Sequence, residues 1–391
     1  MEENKMRNFR LNMPTEIFFG RNQIEVLSKQ LKKGNIKSVL LAYGHGSIKR
    51  IGLYDKIVSI LNESSVKITE LPGIDPNPRI SSVAKGAELC RENKVDLIIA
   101  AGAGSVIDCC KAIAAARYYN GDPWDFFIRK TSVKKALPIC AILTLAATGS
   151  EMNGGCVLTN EKTQEKLPMG SIRLKPKFSI LDPTCTFSVS KSQTAAGIAD
   201  ITSHVFEQYF SYPDAALQDY MSEAVLKTVI ENAPIVLAEP ENYEARANIM
   251  WAGTVALNDL LELGKDGDWA THLIEHELSA KYDITHGVGL AILTPNWMKK
   301  VLDEKNCSKF AKYGRNVWGI TEKDDMKAAL QAVEKTAAFF KSLGLPQKLS
   351  EIGIDSSKFE EMAASALKNC PVGRFKPLSK EDIVEIYRMS L

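Results

Sequence analysis

The chain has 391 residues, 45% hydrophobic and 25% charged, with a formal net charge of +2. That balance excludes a disordered or fibrous chain and gives no general attraction to nucleic acid or anionic membranes. The longest apolar runs, such as Leu137 to Ala147, fall short of the ~20 residues a membrane span requires, and the charged N-terminus has no apolar core of a secretory signal. Eight cysteines are scattered without a Cys-x-x-Cys pair, so the expectation is a reduced, cytoplasmic protein. The length calls for two domains rather than one.

From about residue 16 to 183, short apolar runs alternate with longer amphipathic ones. Ser38–Tyr43, Val66–Glu70, Asp96–Ala101 and Pro138–Leu143 read as strands buried on both faces. Ile51–Ser64 and Ile80–Asn93 between them have helical spacing, which predicts a parallel α/β sheet. Gly154–Asn160 followed by Phe178–Asp182 suggests an added hairpin. After Pro183 the pattern becomes helix after helix, including Ala215–Val236, Tyr243–Leu261 and Lys327–Leu343, with breaks expected at Pro213, Pro234, Pro240, Gly264 and Pro295. The predicted architecture is a Rossmann-like α/β domain over 1–184 followed by an all-α domain over 185–391.

Three loops in the first half carry nucleotide-binding features. Leu97 to Gly102 runs into Gly102-Ala103-Gly104-Ser105, with a helix from Val106 to Arg117. Glycines there let the backbone approach a phosphate, and a helix N-terminus supplies unpaired N–H groups. Tyr43-Gly44-His45-Gly46-Ser47 follows an earlier strand. No acid lies between Tyr43 and Tyr54 to accept ribose hydroxyls, whereas Ser47, Lys49 and Arg50 suit a 2′-phosphate. NADP(H) is therefore favoured over NAD(H). Thr144, Thr148 and Asn153 gather after the Pro138–Leu143 strand, where a loop can line a cofactor cleft. Each of these loops alone is also compatible with ordinary turn chemistry.

The second half holds four of the five histidines. Asp200 and His204 are four residues apart, as are His272 and His276, and His286 follows ten residues later. On helices, i and i+4 share a face, so a carboxylate and several imidazoles can surround one divalent metal. Five candidates exceed four tetrahedral positions, leaving at least one for acid–base work. Neutral imidazole ligands need their second nitrogen held, and Glu275 or Glu277 is placed to do it. Taken alone, His272-x-x-Glu275-His276 matches a zinc hydrolase pattern, with Glu275 as general base. Hydrolysis leaves the nucleotide-binding half without a role, whereas a dehydrogenase uses both halves.

The ordered motifs Gly73-Ile-Asp-Pro-Asn-Pro78, Gly102-Ala-Gly-Ser105, Ala147-Thr-Gly-Ser-Glu151, Gly197-Ile-Ala-Asp200, Trp269-Ala-Thr-His272 and His286-Gly-Val-Gly-Leu290 resemble those of the iron-containing (group III) alcohol dehydrogenases. The resemblance covers nearly the full length and lies on the branch of butanol dehydrogenases and broad aldehyde reductases. It implies metal ligands Asp200, His204, His272 and His286, with His276 beside the metal as a proton relay. It also implies that Gly102, Gly104 and Ser105 hold the pyrophosphate, with Asp108 supporting that turn or the nicotinamide. Thr144, Thr148 and Asn153 would line the cofactor cleft, Lys166 would reach the ribose, and Gly44, Gly46 and Ser47 would surround the 2′-phosphate. Oxygen and nitrogen ligands suit Fe²⁺ and Zn²⁺ alike; iron follows from the resemblance, as does a homodimer. Where relatives show three glycines before the serine, this chain has Ala103, strained only if its φ is positive. The expected reaction is hydride transfer between NADP(H) and primary alcohols or short aldehydes.

Overall fold

The computed structural model describes residues 5–368 and 370–391. The chain divides into two compact units. One holds residues 12–189 together with 240–254, and the other holds the segment ending at Leu11 together with 190–239 and 255–391.

The first unit is built on a six-stranded parallel sheet. Its strands are β1 (Glu16–Phe19), β2 (Ser38–Tyr43), β3 (Lys67–Leu71), β4 (Leu97–Gly102), β5 (Ile139–Leu143) and β8 (Phe178–Leu181), in the order β1-β8-β5-β4-β2-β3. β2, β4 and β5 are buried along their whole length, which is why they read as unbroken apolar runs rather than alternating ones. Each face of the sheet carries its own core. Leu40, Ala42, Ile98 and Ala100 pack on one face, and Val39, Leu41, Ile99 and Ala101 on the other, following the two-residue alternation of a strand.

Chain order runs outward from β2 to β3 and then returns to the other side of β2 for β4. The strand order therefore reverses between β2 and β4, and ligands of open α/β sheets bind outside the carboxyl ends at such a reversal.

The hairpin is paired differently from the sequence expectation. Gly155–Asn160 (β6) joins antiparallel to Glu165–Gly170 (β7), not to Phe178–Asp182. The fully buried Phe178–Leu181 instead enters the main sheet between β1 and β5. A four-residue run with no exposed face gains more from a central position than from a surface hairpin, whereas the half-exposed β7 tolerates one.

The second unit is helical, as expected. Two of the anticipated breaks are absent: Pro234 lies inside the helix Ala216–Ala238 and Pro295 inside His286–Val301. Each proline removes one ladder hydrogen bond; the helix through Pro295 is buried on both sides of it, whereas around Pro234 only Ala233 and Val236 are buried.

Candidate functional site

In the helical unit, three helices converge on one carboxylate oxygen. Lys191–Tyr209 carries Asp200 and His204, Ala270–Tyr282 carries His272 and His276, and His286 is the first residue of His286–Val301. The Nε2 atoms of His204, His272 and His286 lie 3.6, 3.7 and 3.7 Å from Asp200 Oδ1. The ligating atoms of Asp200, His204 and His272 all fall within 4.8 Å of one another.

No donor lies within hydrogen-bonding distance of Asp200 Oδ1, and His272 Nε2 likewise has no partner, although both atoms are buried. Leaving such atoms unsatisfied is costly in a folded protein unless something else meets them. Ligands at ~2.0–2.2 Å from one ion stand about 3.3–3.6 Å apart in a tetrahedron, so the observed spacing fits a shared divalent cation.

The arrangement is braced from behind. His272 Nδ1 lies 2.9 Å from Glu207 Oε1, the same oxygen that accepts from the His272 backbone N–H at 3.0 Å and from the Thr271 hydroxyl. His286 Nδ1 is bonded to Glu275 Oε2, while Ser279 Oγ donates to Glu275 Oε1 at 2.6 Å. Carboxylates on the Nδ1 side fix the ring orientation and leave Nε2 facing inward.

Burial alone raises the Asp200 carboxyl, but the imidazoles of His204, His272 and His286 outweigh it and hold it below the usual carboxylate range. Burial lowers His272, but Asp200 and Glu207 outweigh this and push its imidazole up to about 9. His276 is buried next to the cluster, its ring 5.5 Å from that of His286.

Glycines allow the close approach. A Cβ on Gly287 would sit 2.0 Å from the Ala196 carbonyl, and one on Gly289 would sit 2.7 Å from Glu275 Cγ. The two glycines after His286 thus let its helix press against the neighbours that carry Asp200 and Glu275.

In the α/β unit, the three glycine and hydroxyl loops leave the carboxyl ends of adjacent strands. Gly44–Ser47 follows β2, Gly102–Ser105 follows β4, and Thr144–Asn153 follows β5. The last two are knitted together: Thr144 N–H donates to Gly102 O at 3.0 Å. A Cβ on Gly104 would sit 2.3 Å from Thr148 Oγ1, so only glycine fits against that threonine. Gly46, at φ +99°, needs glycine for its backbone conformation. Ala103 has φ −78° in extended backbone, so no strain arises from its side chain.

Asp108 is engaged within the protein, accepting from Ser150 Oγ at 2.5 Å and Val157 N–H at 2.9 Å, and burial pushes its carboxyl up. Beside it Lys111, fully buried, donates to Ser150 Oγ, Asn153 Oδ1 and Gly155 O. Lys111 thereby ties the helix Gly104–Ala116 to the Thr148–Gly155 loop. Lys166 Nζ reaches Asn77 Oδ1 at 3.1 Å.

Four contributors escaped the sequence reading: Lys111, Glu70, Asp75 and the bracing role of Glu207. Reading only from Tyr43 to Tyr54 finds no acid, but the sheet brings two. Glu70 on β3 accepts from Tyr43 OH at 2.6 Å and Tyr54 OH at 2.8 Å. The Tyr43 bond, helped by that of Tyr54, outweighs burial and holds the Glu70 carboxyl below its ordinary value. Asp75 lies against His45 at 2.9 Å. Only the spacing of Glu207, seven residues after Asp200 on the same helix face, gave a signal along the chain.

A parallel sheet with glycine turns at a strand-order reversal, and a buried Asp/His₃ cluster on helices, define a metal-dependent dehydrogenase built on a nucleotide-binding sheet. Residues 14–183 match the family model for iron-containing alcohol dehydrogenase, and residues 194–391 match the model for its C-terminal region. The chain belongs to the iron-containing alcohol dehydrogenase family.

It is 51% identical over 389 residues to NADH-dependent butanol dehydrogenase A of Clostridium acetobutylicum, covering 98% of this chain and 100% of that one. It is 41% identical over 356 residues to the NADPH-dependent aldehyde reductase YqhD of Escherichia coli, covering 90% and 91%. Among solved structures, NADH-dependent butanol dehydrogenase A of Thermotoga maritima superposes with a TM-score of 0.96 at 38% identity, covering 99% of both chains.

The hydrolase alternative finds no support in these relatives. Glu275, its required general base, is fully buried, with one oxygen on His286 and the other on Ser279.

Proposed function

We propose that this protein interconverts primary alcohols and short aldehydes such as butanal, using NADP(H) and a divalent metal, with Fe²⁺ favoured and Zn²⁺ compatible. The observation that carries the reading is Asp200 Oδ1 at the focus of three imidazole Nε2 atoms with no hydrogen-bond donor of its own. Asp200, His204, His272 and His286 would hold the metal. When bound, the metal supplies Lewis-acid polarisation of the carbonyl oxygen and the nicotinamide supplies the hydride.

The remaining work falls to the chain itself. Glu207 and Glu275 keep the His272 and His286 rings oriented. His276 holds the proton that passes to or from the substrate oxygen. Gly102, Gly104 and Ser105 bind the pyrophosphate through backbone N–H groups and a hydroxyl. Lys111 and Asp108 brace the loop carrying Thr148 and Asn153, Thr144 lines the same cleft, and Lys166 reaches the ribose. Gly44, Gly46 and Ser47 take the 2′-phosphate, supported by Lys49 and Arg50 on the four residues that follow.

NAD(H) is the second reading, favoured by relatives named as NADH-dependent and by the Asp75 carboxylate beside the same loop, a residue type that NAD sites use as a ribose acceptor. We further infer a cytoplasmic homodimer. The absence of any helix among the described residues that could cross a membrane and the free state of all eight cysteines support the compartment. The open edge of β1 supports the pairing.

Following NADPH absorbance with butanal tests the reading. Consumption should stop with a chelator, return with Fe²⁺ or Zn²⁺, and be lost in His272→Ala while nucleotide binding persists. No consumption with any short aldehyde, or full activity of His272→Ala without metal, would sink it.

A further inference from the structure

We infer that Asp75 and His45 form a selector that sets how strongly the cofactor loop discriminates a 2′-phosphate from a 2′-hydroxyl. The inference rests on the reading that Gly44–Ser47 faces the adenosine ribose.

The segment from Gly73 to Arg79 is laced to the cofactor loop. Gly73 N–H donates to Gly44 O, and Ile74 N–H donates to Tyr43 O, both at 3.2 Å. This lacing places Asp75 beside the loop tip. Its Oδ1 lies 2.9 Å from His45 Nε2, and its Oδ2 accepts from Arg79 Nε at 3.1 Å.

The two acids near this loop differ in what holds them. Glu70 has each oxygen capped by a phenol, one of which, Tyr43, is buried. Asp75 is held by two side chains that are themselves solvent-accessible, His45 being 64% exposed. Glu70 is therefore fixed, whereas Asp75 can be exchanged between protein and ligand donors.

With His45 in place, Asp75 Oδ1 is occupied and its charge is offset by Arg79. A 2′-phosphate then meets an imidazole and the Ser47 hydroxyl rather than a bare carboxylate. With His45 removed, Oδ1 becomes free to accept from a ribose 2′-hydroxyl, the contact NAD sites provide with an acid, and repels a 2′-phosphate. The pair thus places NADP and NAD recognition in one loop, with opposite responses to the loss of either partner.

The test measures binding of two compounds that differ only at the 2′ position, adenosine 2′,5′-bisphosphate and 5′-AMP, by calorimetry on the full chain. Asp75→Asn should shift the affinity ratio toward the bisphosphate by about tenfold, and His45→Ala should shift it the other way by about three- to tenfold, as expected for a charge or charged hydrogen bond at partial exposure. In the double variant the His45→Ala effect should shrink, because the part that acts through Asp75 is gone. Thermal unfolding of each variant checks that the loop is intact, and His45→Gln gives a second substitution that keeps a donor and should shift the ratio less.

Unmoved ratios in both single variants would overturn the selector. So would a His45→Ala effect that persists undiminished beside Asp75→Asn, since His45 would then act on the phosphate alone. If the wild-type chain binds neither compound, nor NADPH or NADH by fluorescence, the nucleotide reading itself falls and the selector with it.

Discussion

At the scale of single residues, the candidate metal centre depends as much on Glu207 and Glu275 as on the four inward-facing groups. An imidazole can bind through either nitrogen, and a carboxylate at Nδ1 decides which one faces inward. Glu207 does more than this for His272, because the same oxygen also accepts from that residue's backbone N–H and from Thr271. Glu207→Gln keeps the shape but loses the charge that favours a proton on Nδ1. It should weaken metal affinity by about 10- to 100-fold, read by competition against a chelator of known affinity, with little change in helix content. Wild-type affinity in that variant would show that His272 orients itself. The sequence exposed the candidate ligands through their i, i+4 spacing, but it offered two acids for the second nitrogens, Glu275 and Glu277, without deciding between them. The turn direction of the helix Ala270–Tyr282 decided: Glu275 faces His286.

At the scale of elements, close helix contact sets the geometry. His286 reaches Asp200 because Gly287 lets its helix approach the Ala196 carbonyl with no side chain between them. Gly287→Ala would put a methyl group 2.0 Å from that oxygen, so the helices must separate. Overpacking of this kind costs about 1–3 kcal/mol, and the displacement acts directly on His286. The variant should unfold at a lower temperature and bind metal more weakly, whereas Gly319→Ala, at a helix end with open space around it, should affect stability through its φ of +68° and leave metal affinity alone. Equal losses of metal affinity in the two would refute a specific role for Gly287.

Local patterns also misled at this scale. β6 found its partner in Glu165–Gly170, where Pro168 and Gly170 weaken the strand signal, and two prolines sit within helices where punctuation rules place breaks. For β6 and β7, whose Leu158, Leu167 and Met169 join the sheet's core, and for Pro295, long-range burial outweighed a local preference worth a few kcal/mol or less.

At the scale of the whole molecule, the helical unit buries a charge cluster separate from that of the histidines. Asp219 is held by Lys265 at 2.7 Å, Lys309 at 2.6 Å and Lys312 at 2.8 Å. Burial raises its carboxyl, but the Lys265 and Lys309 charges outweigh this and hold it below its ordinary value. A carboxyl depressed in the folded state contributes stability that is present above its unfolded pKa, about 3.9, and lost as pH falls through the folded value. Denaturation midpoints should therefore drop as the pH falls below about 4 in the wild type, and Asp219→Asn should be less stable near neutrality but flatter over that fall. Parallel curves would assign the acid sensitivity to other carboxylates.

What the sequence by itself determined was local and chemical: buried strands, helical periodicity, glycine turns after strands, and residue types able to bind a metal. Those features depend on the backbone sterics and side-chain spacing of a few neighbouring residues. Only the tertiary structure decided which distant groups meet. It brought His272 and His286 to Asp200 across some 70 to 90 residues of chain, Glu207 behind His272, and Asp75 against His45. Such meetings are fixed by strand order and helix packing, where the burial of whole faces selects one arrangement, and no window along the chain contains that information.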